Sequence, residues 1–221
     1  MSKFSVIVPL FNRVDLTINF LKSIMLFMGD GEIILVDNGS TDNPRVAIDI
    51  IKRFYKNANI MLLELPKNVG FGMANNVGVT VVDSDYLFFV SNDVVFRGDC
   101  FAPVIKVLEI EDCLVGETLY QYDTGWNKFQ PIGIVEYLGG HFLATRKDTF
   151  FDIGQWWEEL FLDYEDLELS YRYTLAGKQL IEMKLPLQHL SGQTAYTQLS
   201  DREKYTLESQ TKLMKKYGWT R

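Results

Sequence analysis

The stretch that decides the fold is Glu32-Ile33-Ile34-Leu35-Val36-Asp37-Asn38-Gly39-Ser40-Thr41-Asp42. Its apolar run, residues 33–36, is continuous rather than alternating, which is typical of a parallel strand covered on both faces. A polar turn with a glycine follows directly. In open α/β sheets ligands bind just outside the carboxyl ends of the strands. The carboxylate of Asp37, the amide of Asn38 and the hydroxyl of Ser40 are therefore candidates to hold a nucleotide.

The same turn also fits an ordinary connection between a strand and a helix. Asp42 or Asn43 would then cap the next helix, with Pro44 at its first position. Because a cap uses only the end of the turn, the residues leave both interpretations open.

The first ninety residues repeat this alternation of apolar strands and amphipathic helices. Further strands are predicted at Phe4 to Leu10, Ile60 to Leu65 and Tyr86 to Val90. The helices predicted between the strands are Asp15 to Met28, Pro44 to Tyr55 and Phe71 to Val82. This order predicts a parallel sheet with crossover helices.

The regular alternation of strands and helices ends beyond Asp93. Shorter strands are predicted near 114–122 and 132–145, and helices at 165–175 and 200–217, the last one opening with a capping box of Ser200 and Glu203. We therefore predict one continuous domain over residues 1–221 with an α/β fold. A Rossmann-like nucleotide-binding half, about 1–95, runs into a smaller mixed α+β half, about 96–221.

Composition narrows the class of protein. The 221 residues are 47% hydrophobic, enough for a sizeable core, and the net charge of −7 argues against binding nucleic acid or an anionic membrane by bulk electrostatics. Cys100 and Cys113 lack metal or redox spacing and are predicted to be reduced core residues. The sequence shows no signal peptide and no membrane span, so we expect a cytoplasmic protein, with a peripheral position at the inner membrane face as the alternative.

Three more polar segments follow predicted strands of the first half, and all would line one sheet edge with the Asp37 turn. Pro9, Phe11 and Asn12 follow the first strand. The loop 68–76 follows the third; its glycines allow close backbone approach, and it opens a helix whose amino end favours phosphate. This loop is neither a dinucleotide fingerprint nor a P-loop, and a plain helix start is the alternative. Ser91-Asn92-Asp93 follows the fourth strand.

Carboxylates and one late histidine suggest the chemistry. Asp93 could supply one ligand to a divalent cation that bridges a diphosphate, although a turn aspartate is commoner. Glu165 and Asp166 lie in a mostly apolar stretch, as a partly buried general base requires, and a solvated helix start is the alternative. Imidazole is a common metal ligand, but a lone histidine such as His189 is more often structural. His141 follows Gly139-Gly140 in a predicted strand and could reach a site wall, and we assign it no chemistry. Of the adjacent Trp156 and Trp157, one could lie at a groove edge.

Taken together and in this order, the segments resemble a family-2 glycosyltransferase of the GT-A fold. The resemblance extends from Phe4 to about Gly192. It is carried by residues 5–12, 36–42, 68–72, Asn75-Asn76, Ser91-Asn92-Asp93, Gly139-Gly140 to Arg146, Glu165-Asp166 and His189.

The resemblance implies a role for each matching residue. Pro9, Phe11, Asn12, Asp37, Asn38, Ser40, Asn68, Gly70, Asn75 and Asn92 would bind the nucleotide and donor. Asp93 would ligate Mn²⁺ or Mg²⁺ as the last residue of an Asp-x-Asp motif, with His189 on the same metal or on the diphosphate. Asp166, beside Glu165, would be the catalytic base. Ser91 departs from the motif because it replaces the first aspartate, which puts metal affinity in doubt.

The implied reaction moves a sugar from a nucleoside diphosphate sugar, with UDP or dTDP favoured, to a hydroxyl acceptor with inversion. A degenerate nucleotide-sugar binder is one alternative, and a viral-type transferase that glycosylates a modified DNA base is another. A sugar nucleotidyltransferase is disfavoured, because Pro9-Leu10-Phe11-Asn12 stands where that class has a Gly-rich, Arg-containing loop. The last helix either covers the acceptor side or makes a homodimer contact.

Overall fold

The computed structural model describes residues 3–125, 133–190 and 201–219. The first half contains each predicted strand and helix. These are β1 (Phe4–Leu10), α1 (Val14–Ile24), β2 (Glu32–Asp37), α2 (Arg45–Phe54), β3 (Ile60–Glu64), α3 (Phe71–Val79) and β4 (Tyr86–Val90). Helix α1 ends earlier than predicted, because the chain turns after Ile24, where the amide of Phe27 donates to the Ile24 carbonyl and that of Gly31 to Met28.

The second half is richer in elements than its sequence pattern indicates. It contains β5 (Val94–Phe96), α4 (Phe101–Ile110), β6 (Cys113–Gly116), β7 (Leu119–Asp123), β8 (Ile134–Leu138), β9 (Phe142–Arg146), α5 (Lys147–Ile153), α6 (Glu165–Leu175), β10 (Gln179–Glu182), β11 (Leu187–His189) and α7 (Arg202–Tyr217). The strand predicted near 114–122 is two strands, β6 and β7, in different sheets. Helix α7 starts after Asp201, and the predicted capping residue Ser200 lies outside the described residues.

One seven-stranded sheet organises the molecule, in the order β10-β6-β9-β4-β1-β2-β3. The four strands of the first half are parallel, so their carboxyl ends share one edge. Strand β9 runs antiparallel to β4 and β6, and β10 is parallel to β6. Two small antiparallel pairs, β5–β11 and β7–β8, complete the described strands. This arrangement confirms the predicted mostly parallel central sheet.

The continuous apolar run of β2 divides between two hydrophobic layers. Ile33 and Leu35 face the layer formed with α1, α2 and α4, whereas Ile34 and Val36 face the layer formed with α3, α5 and α6. Alternate residues of a strand point to opposite faces, so a strand covered on both sides must be apolar throughout. The sequence signal that predicted the fold thus has its physical cause in this double covering.

The two cysteines and the adjacent tryptophans serve mainly in side-chain packing. Cys100 and Cys113 are buried free thiols, and burial raises their pKa values to about 12 and about 11, which keeps both protonated. Trp156 is buried against Phe71 and Phe89, while Trp157 is partly exposed beneath the ammonium of Lys216. Among the described residues no helix combines the length and apolar character that crossing a membrane requires.

Candidate functional site

A cavity of about 480 Å³ opens at the carboxyl edge of the parallel strands. Its walls come from both halves of the chain, because β9 and the segments around it close the sheet on this side. Of the predicted site residues it brings together Pro9, Phe11, Asn38, Asn68, Gly70, Asn92, Asp93, Glu165, Asp166 and His189. The other four predicted residues, Asn12, Asp37, Ser40 and Asn75, lie outside its lining.

Three of those four residues join the first two strand-end turns. The carboxylate of Asp37, which is 7% exposed, accepts the amide of Ser40 at 2.9 Å. The hydroxyl of Ser40 in turn accepts the amide of Asn12 at 2.8 Å, and Asn12 Oδ1 accepts the amide of Thr41 at 2.7 Å. The turns after β1 and β2 are thus locked to each other.

Of the two residues predicted to cap α2, Asp42 serves a different helix. Asp42 Oδ2 accepts the amide of Val14 at 2.8 Å, so it satisfies the first turn of α1. At the start of α2, Asn43 Oδ1 accepts the amide of Arg45 at 3.0 Å.

An amide network links the second and third strand ends on the cavity wall. The Asn38 side chain donates to Asn68 Oδ1 at 2.9 Å and to the Gly70 carbonyl at 3.2 Å. It also accepts the amide of Val69 at 2.8 Å. Gly70 has a φ of 91°, and a Cβ there would lie 2.6 Å from the carbonyl oxygen of Phe161, so only glycine fits this crossing.

The two asparagines of α3 face the protein interior. Asn75 is fully buried. Its side-chain nitrogen donates to the Phe71 carbonyl at 3.1 Å, and its Oδ1 has no hydrogen-bond partner within the described part of the chain. Asn76 exchanges hydrogen bonds with the backbone of Trp156, at 2.9 and 3.1 Å. Asn76 therefore ties α3 to the chain that leads into α6.

Asp93 meets His189 although nearly a hundred residues separate them. Strand β11 pairs with β5, and the amide of Leu190 donates to the Asp93 carbonyl at 2.9 Å. This pairing places His189 Nε2 at 3.3 Å from Asp93 Oδ1. Asp93 is only 4% exposed, and its neighbour Asn92 donates to the Thr17 hydroxyl at 3.3 Å. A carboxylate and an imidazole therefore converge on the cavity.

His141 lies on the same wall, which its position after Gly139-Gly140 allowed, although no chemistry was assigned to it from the residues. Its ring stacks on that of His189, with 4.4 Å between centroids and 6° between planes. Its Nε2 lies 3.1 Å from Glu117 Oε2. Burial lowers the pKa of His141, and the adjacent His189 lowers it further, so the ring is neutral at neutral pH. The one available signal was Gly139-Gly140 directly before it.

Asp166 and Glu165 occupy the opposite half of the lining. Asp166 Oδ2 accepts the amide of Gly140 at 2.9 Å, and Oδ1 accepts that of Leu167 at 2.8 Å. Burial raises the pKa of Asp166 to about 6, even though these amides favour the charged form. Burial also raises the pKa of Glu165 well above its usual range, with the Asp166 charge adding to the effect. Glu165 Oε2 is buried and has no hydrogen-bond partner among the residues that the structure describes.

Several lining residues had no distinct pattern in the sequence. Tyr120 and Tyr137, on the paired strands β7 and β8, stack with 5.4 Å between centroids. Phe161 and Asp163 precede α6 and complete the wall. Aromatic residues alternating along two short strands look like core residues, and only the pairing shows that they share a cavity.

Another cavity, of about 680 Å³, lies at the amino ends of β2 and β3. Its lining is mainly apolar or amide-bearing, with Asp30 and Lys56 as its charged members. The smaller cavity at the carboxyl edge combines carboxylates, histidines and amides, which makes it the candidate functional site.

Comparison with known proteins shows which family this chain resembles. Residues 5–164 match the model of the family described as Glycosyl transferase family 2. A protein of Rickettsia felis called an uncharacterized glycosyltransferase is 30% identical over 121 residues, which make up 54% of this chain and 19% of that protein. The chain thus spans about a fifth of the length of that curated relative.

Two solved structures share the fold. The mannosyltransferase PcManGT from Pyrobaculum calidifontis, in complex with GDP-Man and Mn²⁺, has a TM-score of 0.73 at 15% identity, covering 97% of this chain and 64% of that one. GalNAc-T7, with UDP, GalNAc and Mn²⁺, also has a TM-score of 0.73, at 14% identity, covering 97% and 48%. The fold is therefore GT-A, as predicted.

Proposed function

Because this chain belongs to glycosyl transferase family 2, we propose that it moves a sugar from a nucleoside diphosphate sugar to a hydroxyl acceptor. One observation carries the proposal. The partly buried pair Glu165–Asp166 lines the same cavity as the Asp93–His189 pair. A single displacement needs a base on one side of the sugar and stabilisation of a leaving diphosphate on the other.

The nucleotide would occupy the first-half side of the cavity. Asn38, Asn68 and Gly70 form its wall, and Asp37 lies directly behind Asn38 at the end of β2. Amide groups whose positions are fixed by hydrogen bonds recognise a base without paying side-chain entropy on binding. The structural neighbours carry GDP-Man in one case and UDP in the other, and we favour a UDP- or dTDP-linked sugar here.

Asp166 would act as the base. It removes the proton of the acceptor hydroxyl as that oxygen forms a bond to the anomeric carbon, while the bond from this carbon to the diphosphate oxygen breaks. Attack from the side opposite the leaving group inverts the configuration. A pKa of about 6 leaves Asp166 ionised at neutral pH yet more basic than an exposed aspartate. The two amides that bind its oxygens fix their direction.

Asp93 and His189 would hold a divalent cation, for which Mn²⁺ and Mg²⁺ are candidates. Among the residues that the structure describes, no group of three or more histidine, cysteine or acidic side chains could hold a metal alone. Two protein ligands nevertheless suit a cation whose other ligands are phosphate oxygens and water. Such a cation, when bound, neutralises negative charge on a departing diphosphate.

Donor binding can be tested by thermal unfolding with UDP, dTDP, GDP and CDP, each with and without Mn²⁺. A ligand that binds only the folded protein raises the midpoint by mass action. We expect one nucleotide to raise it, and only with the metal. Asp93→Ala should remove that metal dependence, and an unchanged dependence would take Asp93 out of the site.

The base can be tested with Asp166→Asn, using Asp152→Asn on the exposed face of α5 as the matched control. Release of nucleoside diphosphate from the stabilising donor, with water or a trial acceptor, is the assay. We expect Asp166→Asn to lose at least ~100-fold in rate while the nucleotide-induced thermal shift survives. A rate near that of the control would refute the base assignment. Binding without any transfer by the unaltered protein would favour a degenerate nucleotide-sugar binder.

A further inference from the structure

The segment 161–164, directly before Asp166, has an unusual backbone. Asp163 and Tyr164 have φ values of 60° and 67°, in the left-handed region that non-glycine residues seldom adopt. Two such residues in succession persist only where the surroundings hold them. Phe161, Leu162 and Asp163 also line the cavity. The contacts that hold this segment therefore affect the geometry of the cavity.

Helix α7 supplies those contacts. The carboxylate of Asp163 accepts Nη2 of Arg202 at 3.2 and 3.3 Å and the hydroxyl of Thr206 at 2.5 Å. The ring of Tyr205 packs on that of Phe161 at 4.4 Å between centroids. The first two turns of α7 thus hold the whole segment against the site.

The 161–164 segment also contacts the donor wall on one side and the start of α6 on the other. The Phe161 carbonyl accepts the amide of Phe71 at 3.3 Å, beside the Gly70 crossing on the donor wall. Tyr164 stands at the amino end of α6, where its carbonyl accepts the amide of Glu168 at 2.9 Å. Asp166 is the second residue of α6, so a shift of the segment moves the base relative to Gly140.

The far end of α7 is fastened independently. Lys216 and Tyr217 each donate to Glu168 at 2.8 Å, and Gln210 donates to Tyr122 at 3.1 Å. Loss of the contacts to Asp163 therefore need not release the helix. Both α6 and α7 lie beyond residue 164, where the match to the family model stops.

We propose that Asp163 is a positioning residue and that Arg202 and Thr206 hold the 161–164 segment, and through it Asp166, in the geometry needed for proton removal. This inference rests on the proposed transfer function. It assigns α7 a part in catalysis that involves no contact between α7 and the substrate.

The first test compares Thr206→Val with Thr211→Val. Thr211 is exposed on the same helix and donates to the Leu207 carbonyl of its own helix, so its loss controls for the helix itself. With the nucleoside diphosphate release assay, we expect Thr206→Val to lower kcat roughly 10- to 100-fold with little change in the donor KM. Thr206→Ser retains the hydroxyl and should restore kcat. Equal kcat for the two valine variants would overturn the proposal.

The second test uses the pH profile. The Asp163 charge raises the pKa of Asp166, and Arg202 compensates that charge. Arg202→Gln should therefore move the acidic limb of kcat/KM to higher pH, and Asp163→Asn should move it lower. Arg202→Lys retains the charge and should leave the limb in place, and Asp163→Asn alone tests the link if Arg202→Gln fails to fold. A limb that stays in place in both variants would refute the electrostatic link. The other ionisable groups that line this cavity are Asp93, Tyr120, Tyr137, His141, Glu165 and His189.

Hydrogen exchange separates this inference from the proposed function. The amides of Gly140 and Leu167 donate to Asp166, so their exchange reports whether the carboxylate is in place. We expect faster exchange at both in Thr206→Val and unchanged exchange in Thr211→Val. If the unaltered protein transfers no sugar, the function fails, and this exchange pattern alone decides the positioning role. Unchanged exchange in Thr206→Val would overturn it.

Discussion

Two opposing influences act on the pKa of the Asp166 carboxyl group. Its two backbone amide donors favour the carboxylate, whereas burial favours the neutral acid, and burial prevails. A base needs this balance, because a fully solvated aspartate is too weak and a fully desolvated one stays protonated. The sequence predicted the acid pair and its partly apolar setting, but Gly140, which fixes one oxygen, lies 26 positions away.

The raised pKa of Asp166 predicts the pH dependence of transfer. Only the ionised form accepts a proton, so kcat/KM should rise as the pH increases through about 6 and then level off. The profile can be measured between pH 4.5 and 8 with donor concentrations well below KM. A rate that stays flat between pH 5 and 7 would contradict the assignment.

The raised pKa of Glu165 predicts that its ionised side chain destabilises the folded protein at neutral pH. Its pKa is higher in the folded than in the unfolded protein, so its stabilising contribution is present below the unfolded value of 4.5 and is lost as the pH rises through the folded pKa. Glu165→Gln removes the charge and should increase the free energy of unfolding at pH 7.

Urea denaturation at pH 7 and at pH 4.5 measures this effect. The advantage of Glu165→Gln should shrink at the lower pH, where the glutamate is protonated in the folded protein and about half protonated in the unfolded one. A variant less stable than the unaltered protein at pH 7 would show that the ionised carboxylate is compensated in the folded state.

At the scale of elements, α3 packs on the sheet with almost no space. A Cβ on Gly78 would lie 2.4 Å from Cγ2 of Ile7 and 3.1 Å from Cγ2 of Val36. The sequence pattern marks this glycine as a weakness of the helix, since glycine disfavours helix interiors. The structure shows that it is needed for the close approach of α3 to β1 and β2.

Gly78→Ala therefore sets two effects against each other. Alanine gains about 1 kcal/mol in helix propensity, whereas overpacking costs about 1–3 kcal/mol. Because the nearest neighbour belongs to a buried strand, we expect a net loss of roughly 1–2 kcal/mol in the free energy of unfolding. Thermal or urea unfolding measures it, and a stabilised variant would mean that α3 can shift away from the sheet.

At the scale of the whole molecule, Glu168 joins α7 to α6. It is fully buried and accepts hydrogen bonds from Arg172 at 2.8–3.0 Å and from Lys216 and Tyr217 at 2.8 Å. Tyr171, Tyr217 and Trp219 pack around the same contact. One carboxylate thus holds two helices whose residues lie nearly fifty positions apart.

Glu168→Ala should destabilise the protein strongly. It leaves Arg172 and Lys216 without their carboxylate partner, and breaking a buried ion pair on one side costs about 3–5 kcal/mol. Glu208→Ala, on the exposed face of α7, is the matched control. Thermal unfolding should show a large drop in midpoint for the first variant alone, and equal midpoints would show that aromatic packing suffices to hold α7.

The sequence by itself determined the parallel half of the sheet and the residues at its carboxyl edge. Those signals are local: a doubly covered strand must be apolar throughout, and the turn after it must be polar. The second half was predicted only in outline, because its short strands β6, β9, β10 and β11 take their partners from distant segments and no local pattern specifies such pairing. The meeting of Asp93 with His189, the stacking of His141 on it, and the anchoring of Asp163 by α7 were decided by the tertiary structure. Each depends on side chains from separate elements converging in space, which residue order alone leaves unspecified.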